Sequence, residues 1–309
     1  MKNLVIWYEK NEIDDPKEMF AELHINFWKI PHRKSSNKLL DIGINISNAN
    51  IVSVIYIYIP GEQLTKENFD DLGGILISKQ LLQAVFNEEY GILDHDTNPK
   101  YINILENKNA PPKFSVYKID KESDLEIDYK YHGTIFKLKL CNPKVDTYFR
   151  FRLLGKFLDE FCNIEKPTNA IINSAFKNIE IFDFRVNEKR NMDSSLIERE
   201  LNKDSNGTFI FQKFRFFFMC ASNEEIISFS EGPFKRCRYL EQELWINYVN
   251  INGSKYLDAT KRILAYQWNS GIYFMTSPVT VETPVARRPP HRSRRAELPH
   301  RAPQEYSLP

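Results

Sequence analysis

Hydrophobic residues recur at every second place through residues 38–46, where Leu40, Ile42, Ile44 and Ile46 alternate with smaller or polar neighbours. After Asn48-Ala49-Asn50 comes the run 51–59, apolar on both faces apart from Ser53, Tyr56 and Tyr58. A period of two marks a strand, so the pattern predicts two strands joined by a tight turn. The second strand should lie near the centre of a sheet and end at Pro60-Gly61. The spacing then turns helical over 65–72 and 78–87, with Leu81, Leu82, Val85 and Phe86 on one side and Ser78 as the N-cap. Gly73-Gly74 separates these two segments.

From Lys113 the alternation returns in FSVYKID, LEIDYKYHGTIFKLKL and TYFRFRLL. In the last of these, Phe149, Phe151 and Leu153 face one side and Tyr148, Arg150 and Arg152 the other. Beyond the Lys166-Pro167-Thr168 break, strands are expected over 179–186, 208–220 and 224–229, with a capped helix from Ser194 or Ser195 to about Lys203. Two closing helices are read from Leu240, Leu244, Trp245 and Tyr248 and from Leu257, Ile263, Leu264 and Trp268. The expected class is α+β: mainly antiparallel sheet with inserted helices, a helical C-terminal portion and a disordered tail. Residues 1–162 form one α+β block and 163–276 a second that ends in helices, or the two make a single unit. No internal repeat period is present.

Composition narrows the class. Apolar residues make up 42% and charged residues 27%, as in an average soluble domain, which excludes disordered and collagen-like chains. No stretch has the roughly 18–20 apolar residues that a membrane span needs, and the charged start lacks a signal-peptide core, so a cytoplasmic protein is expected. Cys141, Cys162, Cys220 and Cys237 form no CxxC and suggest ordinary reduced thiols. The net charge of +1 hides a partition. Residues 277–309 hold seven of the 16 prolines and six arginines but no Lys, Ile, Asn or Phe. The body favours residues with AT-rich codons and the tail residues with GC-rich ones, as at a junction near Thr276 between unrelated DNA. A native basic arm is the other reading. An AT-rich body also suits accessory bacterial genes, where phage-defence and mobile-element components are frequent.

Recognisable chemistry is sparse. Neither GxxxxGK[ST] nor GxGxxG occurs, and Gly73-Gly74 lacks a following lysine, so a nucleotide-driven motor is not expected. A metal-dependent nuclease needs converging carboxylates with a lysine beside them. Glu126, Asp128 and Lys130 share a strand face, with Asp120 upstream, although the wet side of any antiparallel strand gives the same string. Asp94-His95-Asp96 resembles a metal triplet but sits in a turn-rich stretch. There is no GxSxG elbow, and the RxxxxH of Arg295 to His300 contains Pro299, which breaks the helix it requires.

Basic and aromatic residues interleave at Arg150 and Arg152, at Arg185, and at Arg215, as on strands that stack bases and neutralise phosphates. The competing reading buries the rings and pairs the arginines with acids of neighbouring strands such as Glu180 and Asp183. In KRCRYLEQELWINYV, Lys235, Arg236 and Arg238 open a helix against its dipole and suggest a ligand or an acidic partner. The sequence therefore points to a non-enzymatic binding, sensor or regulatory module with a protein partner. The alternatives are a metal-dependent nuclease, or a single-stranded nucleic-acid binder acting through the basic tail or the strand arginines. No cofactor and no metal site is expected.

Overall fold

The computed structural model describes residues 3–12, 18–32, 35–86, 88–93, 100–106, 111–143, 146–165, 177–229, 234–258, 260–270 and 279–284. The chain opens with β1 (Val5–Lys10), β2 (Ala21–His32), β3 (Ser35–Ile46), β4 (Val52–Pro60) and β5 (Phe69–Asp71). Helix α1 (Lys79–Phe86) precedes β6 (Gly91–Leu93), β7 (Tyr101–Leu105) and β8 (Pro112–Tyr117). Next come β9 (Leu125–Lys130), β10 (Gly133–Lys139), β11 (Thr147–Leu153), β12 (Cys162–Glu165) and β13 (Lys177–Phe182). A short helix α2 (Ser194–Leu196), continued by a π turn over Ile197–Leu201, leads to β14 (Asn206–Thr208), β15 (Phe211–Ala221), β16 (Glu225–Phe229) and β17 (Arg236–Tyr239). Helix α3 (Gln242–Val249), β18 (Ile263–Ser270) and β19 (Val279–Pro284) complete the described chain.

Three sheets result. A five-stranded antiparallel sheet runs β14-β1-β4-β10-β9. A ten-stranded sheet runs β17-β18-β15-β2-β3-β11-β8-β7-β6, with β5 also on β11; β15 is parallel to β2 and β8 to β11. A four-stranded sheet runs β12-β13-β19-β16. The large sheet draws strands from both sides of residue 162.

Alternation explains the layering. One face of the five-stranded sheet, with Ile6, Ile55, Ile57 and Phe136, packs against Ile25, Ile42, Phe149, Phe151 and Phe216 of the large sheet. Phe182 and Phe184 join this core from β13 and the chain just beyond it, and their rings stack on Phe216. The opposite face of the large sheet carries a second core of Trp28, Leu39, Tyr148 and Met219 beneath Leu81 and Leu82 of α1 and Trp245, Tyr248 and Val249 of α3. A third cluster puts Leu196 of α2 against Val5, Trp7 and Ile135 on the outer face of the five-stranded sheet. Helix, sheet, sheet and helix thus form a layered stack. Because β11 is covered on both faces, all seven of its residues are buried.

Several expectations need correction. The fold is mostly β, 49% strand against 19% helix, rather than α+β with a helical C-terminal portion. Residues 263–268 form a strand, β18, in which Leu264, Tyr266 and Trp268 face the aromatic core while Ile263 and Ala265 face the other way. Five apolar residues within this short stretch fit either period, and pairing with β15 and β17 decides for period two. Residues 65–72 hold only a 3₁₀ turn, Lys66–Asn68, capped by Thr65, followed by β5. Of the stretch set apart on composition, Val279–Pro284 pairs with β13 and β16 as a strand, while 285–309 lie outside the described residues.

The expected hairpin over 38–59 is not one. β3 pairs with β2 and β11, whereas β4 pairs with β1 and β10 in the other sheet, so the chain crosses the sandwich at Asn48. Asn48 takes the left-handed conformation there, with φ 52°. β4 is nonetheless the central strand of its sheet, as its apolar run requires. Tight two-residue connections instead join β2 to β3, and β9 to β10 through Tyr131 and His132, both at positive φ. Gly133 follows because a Cβ there would come within 2.3 Å of the Ile59 carbonyl oxygen.

If α2 is an integral outer layer, truncating Leu196 to alanine removes its buried anchor and should cost about 2–4 kcal/mol in urea-induced unfolding of the whole chain.

Candidate functional site

The face of the large sheet beneath α1 and α3 holds the densest buried polar cluster. Register puts its members in rows. Arg152 of β11 lies opposite Asp41 of β3, which lies opposite Asn26 of β2. In the next row Arg150 lies opposite Gly43, then His24, then Arg215 of β15. The alternation that points Phe149 and Phe151 into the aromatic core points these residues to the helices.

Asp41 has no solvent exposure. Its Oδ1 accepts from Arg152 Nε at 2.6 Å, and its Oδ2 accepts from Arg152 Nη2 at 3.1 Å, Trp28 Nε1 at 2.7 Å and the Tyr248 hydroxyl at 3.0 Å. Arg152 Nη1 also donates to the Val249 carbonyl at the end of α3. A single carboxylate therefore ties β2, β3, β11 and α3 together. Both partners being buried, the charge-assisted bonds offset a large desolvation cost.

Arg150 is bound differently. Its Nε donates to Tyr248 Oη at 2.7 Å and its Nη1 to Tyr148 Oη at 2.8 Å. With the Asn26 amide turned so that both its ends are satisfied, Oδ1 accepts from Arg150 Nη2 at 2.6 Å. Gly43 makes room for this arrangement, since a Cβ there would fall 2.2 Å from the Tyr148 hydroxyl. The Tyr148 hydroxyl, having accepted from Arg150, lies 3.2 Å from His24 Nδ1 and gives its own proton to it, which leaves the imidazole proton on Nε2. Burial drives the His24 pKa down to about 4; Glu22, whose Oε2 is 3.6 Å from Nε2, opposes this, and the charges of Arg215 and Arg150 add to it. His24 is neutral at physiological pH.

The cluster borders a cavity of about 20 Å³ lined by His24, Asn26, Trp28 and Arg150 of the sheet, Ala84 and Val85 of α1, Trp245 of α3, and Arg238 of β17. Arg238 is exposed, so the cavity opens beside the edge strand.

The residues singled out on sequence are dispersed. Glu126, Asp128 and Lys130 do share the outer face of the five-stranded sheet, but Glu126 binds Lys139, and Asp128 lies between Lys137 at 2.6 Å and Lys130 at 3.2 Å. These lysines hold both carboxyls below their usual range. Asp120 is spent within its own turn, accepting from the Glu122 amide and the Ser123 hydroxyl, both at 3.0 Å. No three His, Cys, Asp or Glu among the described residues are grouped to hold a metal.

Arg150 and Arg152 are 1% and 0% exposed, too deep to meet a phosphate backbone. Asp41 pairs with Arg152, and Arg150 binds only neutral acceptors; Glu180 instead pairs with Lys29 at 2.7 Å, and Asp183 with Arg185. Arg215 lies 3.9 Å from Glu22. Lys235, Arg236 and Arg238 do not open a helix: the two arginines are on β17, Lys235 directly precedes it, and α3 starts only at Gln242. The Gly73 and Gly74 amides donate to Asp71, which takes the place a phosphate would need. Burial raises the thiol pKa of Cys162 to about 11 and that of Cys220 further, keeping both protonated. Asp94-His95-Asp96 and the Arg295 to His300 segment lie outside the described residues.

Sequence reasoning missed Asp41, His24, Tyr148 and Tyr248. The one available signal was Asp41 in the otherwise apolar alternation of β3, flanked by Leu40 and Ile42.

Comparison with known proteins finds no matching family model and no similar curated protein.

Two measurements test the cluster. Asp41→Asn leaves both guanidiniums without an adjacent carboxylate and should cost about 3–5 kcal/mol in chemical denaturation. For His24, the unfolded side chain takes up its proton near pH 6.5 and the folded one only near 4, so acid favours the unfolded chain across that window. This contribution, about 3 kcal/mol, is complete above pH 6.5 and lost as the pH falls to about 4; His24→Gln should flatten that part of the stability profile.

Proposed function

We propose that the protein is a non-catalytic binding module that recognises an acidic, extended polypeptide segment along the free edge of β17. The supporting observation is the edge itself. All four residues of β17 are exposed, and among the described residues its only strand partner is β18. Its outer side thus offers unpaired backbone N–H and C=O groups, the template for strand addition. Lys235, Arg236 and Arg238 cluster along this edge, and none forms an ion pair with a described residue. Phe234 and Tyr239, 41% and 58% exposed, supply apolar surface at the two ends of the segment.

A polypeptide is favoured over a nucleic acid because an edge strand presents a directional row of amides and carbonyls, which a sugar-phosphate backbone cannot continue as a ladder. The other strand arginines proposed for nucleic acid are buried or near acids, so among the described cations singled out on sequence for binding, the exposed ones without an acid partner lie on this short edge. No helix among the described residues is long and apolar enough to cross a membrane.

Fluorescence anisotropy with labelled peptides of alternating acidic and β-branched residues tests the reading. Binding is expected for acidic peptides and not for basic ones. It should weaken at least ~10-fold in the Lys235→Glu, Arg236→Glu, Arg238→Glu variant, while stability changes by no more than ~1 kcal/mol because the three side chains are exposed. Preferential binding of a single-stranded oligonucleotide by the same edge would replace this reading with the nucleic-acid one.

A further inference from the structure

Arg150 poses an unbalanced charge. Two buried guanidiniums, Arg150 and Arg152, face one buried carboxylate, and Asp41 is taken up by Arg152, Trp28 and Tyr248. The partners of Arg150 are two phenol oxygens and an amide oxygen, all neutral. A buried cation is ordinarily matched by an anion, because neutral acceptors offset only part of its lost hydration.

The wall of the cavity beside Arg150 has the matching chemistry. His24 Nε2 and Trp245 Nε1 are both buried N–H donors with no hydrogen-bond partner, and both residues line this same cavity at 4% exposure. Arg238 adds a cation where the cavity opens. The lining contains no carboxylate. The nearby acid on this face, Glu22, is in the next row along β2; its Oε2 lies 3.6 Å from His24 Nε2, beyond hydrogen-bond length, and it is shared with Lys213 at 3.5 Å and Arg215 at 3.9 Å. A space of about 20 Å³ takes about one or two water-sized groups, and Trp28, Val85, Leu240 and Trp245 make the rest of its wall apolar.

We propose that this cavity is a binding site for a carboxylate head group, held by Arg150 at its base, by the His24 and Trp245 N–H donors, and by Arg238 at its mouth. The size admits no more than a small planar head group, with any stem left at the mouth, and excludes a nucleotide. The carboxylate comes from a free small acid or from an Asp or Glu side chain of a bound peptide, and the two sources share the same recognition chemistry. The site does not depend on strand addition at β17.

The test is a titration of the full chain with acetate and propionate at constant ionic strength, followed through tryptophan fluorescence and the indole N–H resonance of Trp245. Acetamide, propionamide and chloride serve as controls. A parallel arm uses short peptides with one Glu and their Gln counterparts. Saturable millimolar binding of the acids or of the Glu peptide, with the amides and chloride inert, is the expected result, and the arm that responds identifies the source. Arg150→Gln is the direct variant but removes a core residue. Ala84→Leu, which fills the cavity from α1, and Arg238→Gln at the exposed mouth keep the core cluster intact; the first should abolish binding and the second weaken it at least ~3-fold. Absence of a saturable response in both arms, an equal response to the amides or chloride, or unchanged binding in folded Ala84→Leu would overturn the proposal. Loss of peptide binding at β17 with carboxylate binding intact would overturn only the reading of the edge strand.

Discussion

The carboxylate of Asp41, fully withdrawn from water between the large sheet and the helix α3 that covers it, is the constraint around which the large sheet is organised. Left alone in that environment it would have to be protonated or the fold abandoned. Arg152, Trp28 and Tyr248 supply four donors, and each comes from a different element. Satisfying Asp41 therefore fixes the placement of β11 against β3, of β2 on the other side, and of α3 above them. A slip of one residue between β3 and β11 would turn Arg150 and Arg152 into the aromatic core and Phe149 and Phe151 toward the helices. The ion pair and the phenylalanine core enforce the same register from opposite faces.

That arrangement gives the sheet two unlike sides. Against the five-stranded sheet it is dry and aromatic, with Phe27, Phe149, Phe151, Phe216 and Phe218 in one continuous cluster. Against the helices it is polar at its centre, with tyrosine hydroxyls relaying between charged groups. Gly43 is the hinge of this asymmetry, since only a residue without Cβ lets Tyr148 reach across β3 to His24. The cost of such a network is that every member must be satisfied, and among the described residues His24 Nε2 and Trp245 Nε1 are left without acceptors. Both residues line the cavity between the sheet and the helices.

The β17 edge of the same sheet carries the exposed cations Arg236 and Arg238. Charge on an edge strand discourages indiscriminate pairing with other sheets, and it also selects a partner of opposite sign. β17 is short and basic, consistent with both effects. The carboxylates on the outer face of the five-stranded sheet illustrate the opposite case: each is matched by a lysine one or two residues away on the same or the adjacent strand, leaving no converging group for a metal.

Much of the local structure was legible in the chain. The period of two in 147–153 correctly assigned rings and arginines to opposite faces, the apolar run in 52–60 marked a central strand, and Ser78, whose Oγ accepts from the Leu81 amide, marked the start of α1. Periodicity reports which face a residue takes, because that depends only on backbone geometry. It does not report the partner. That β3 and β4 enter different sheets, that 263–268 extends rather than coils, and that Arg152 meets an aspartate 111 positions away are settled by tertiary packing alone. So is the cavity, whose lining runs from His24 to Ala265 and whose chemistry arises only when strands distant in sequence place their side chains in one row.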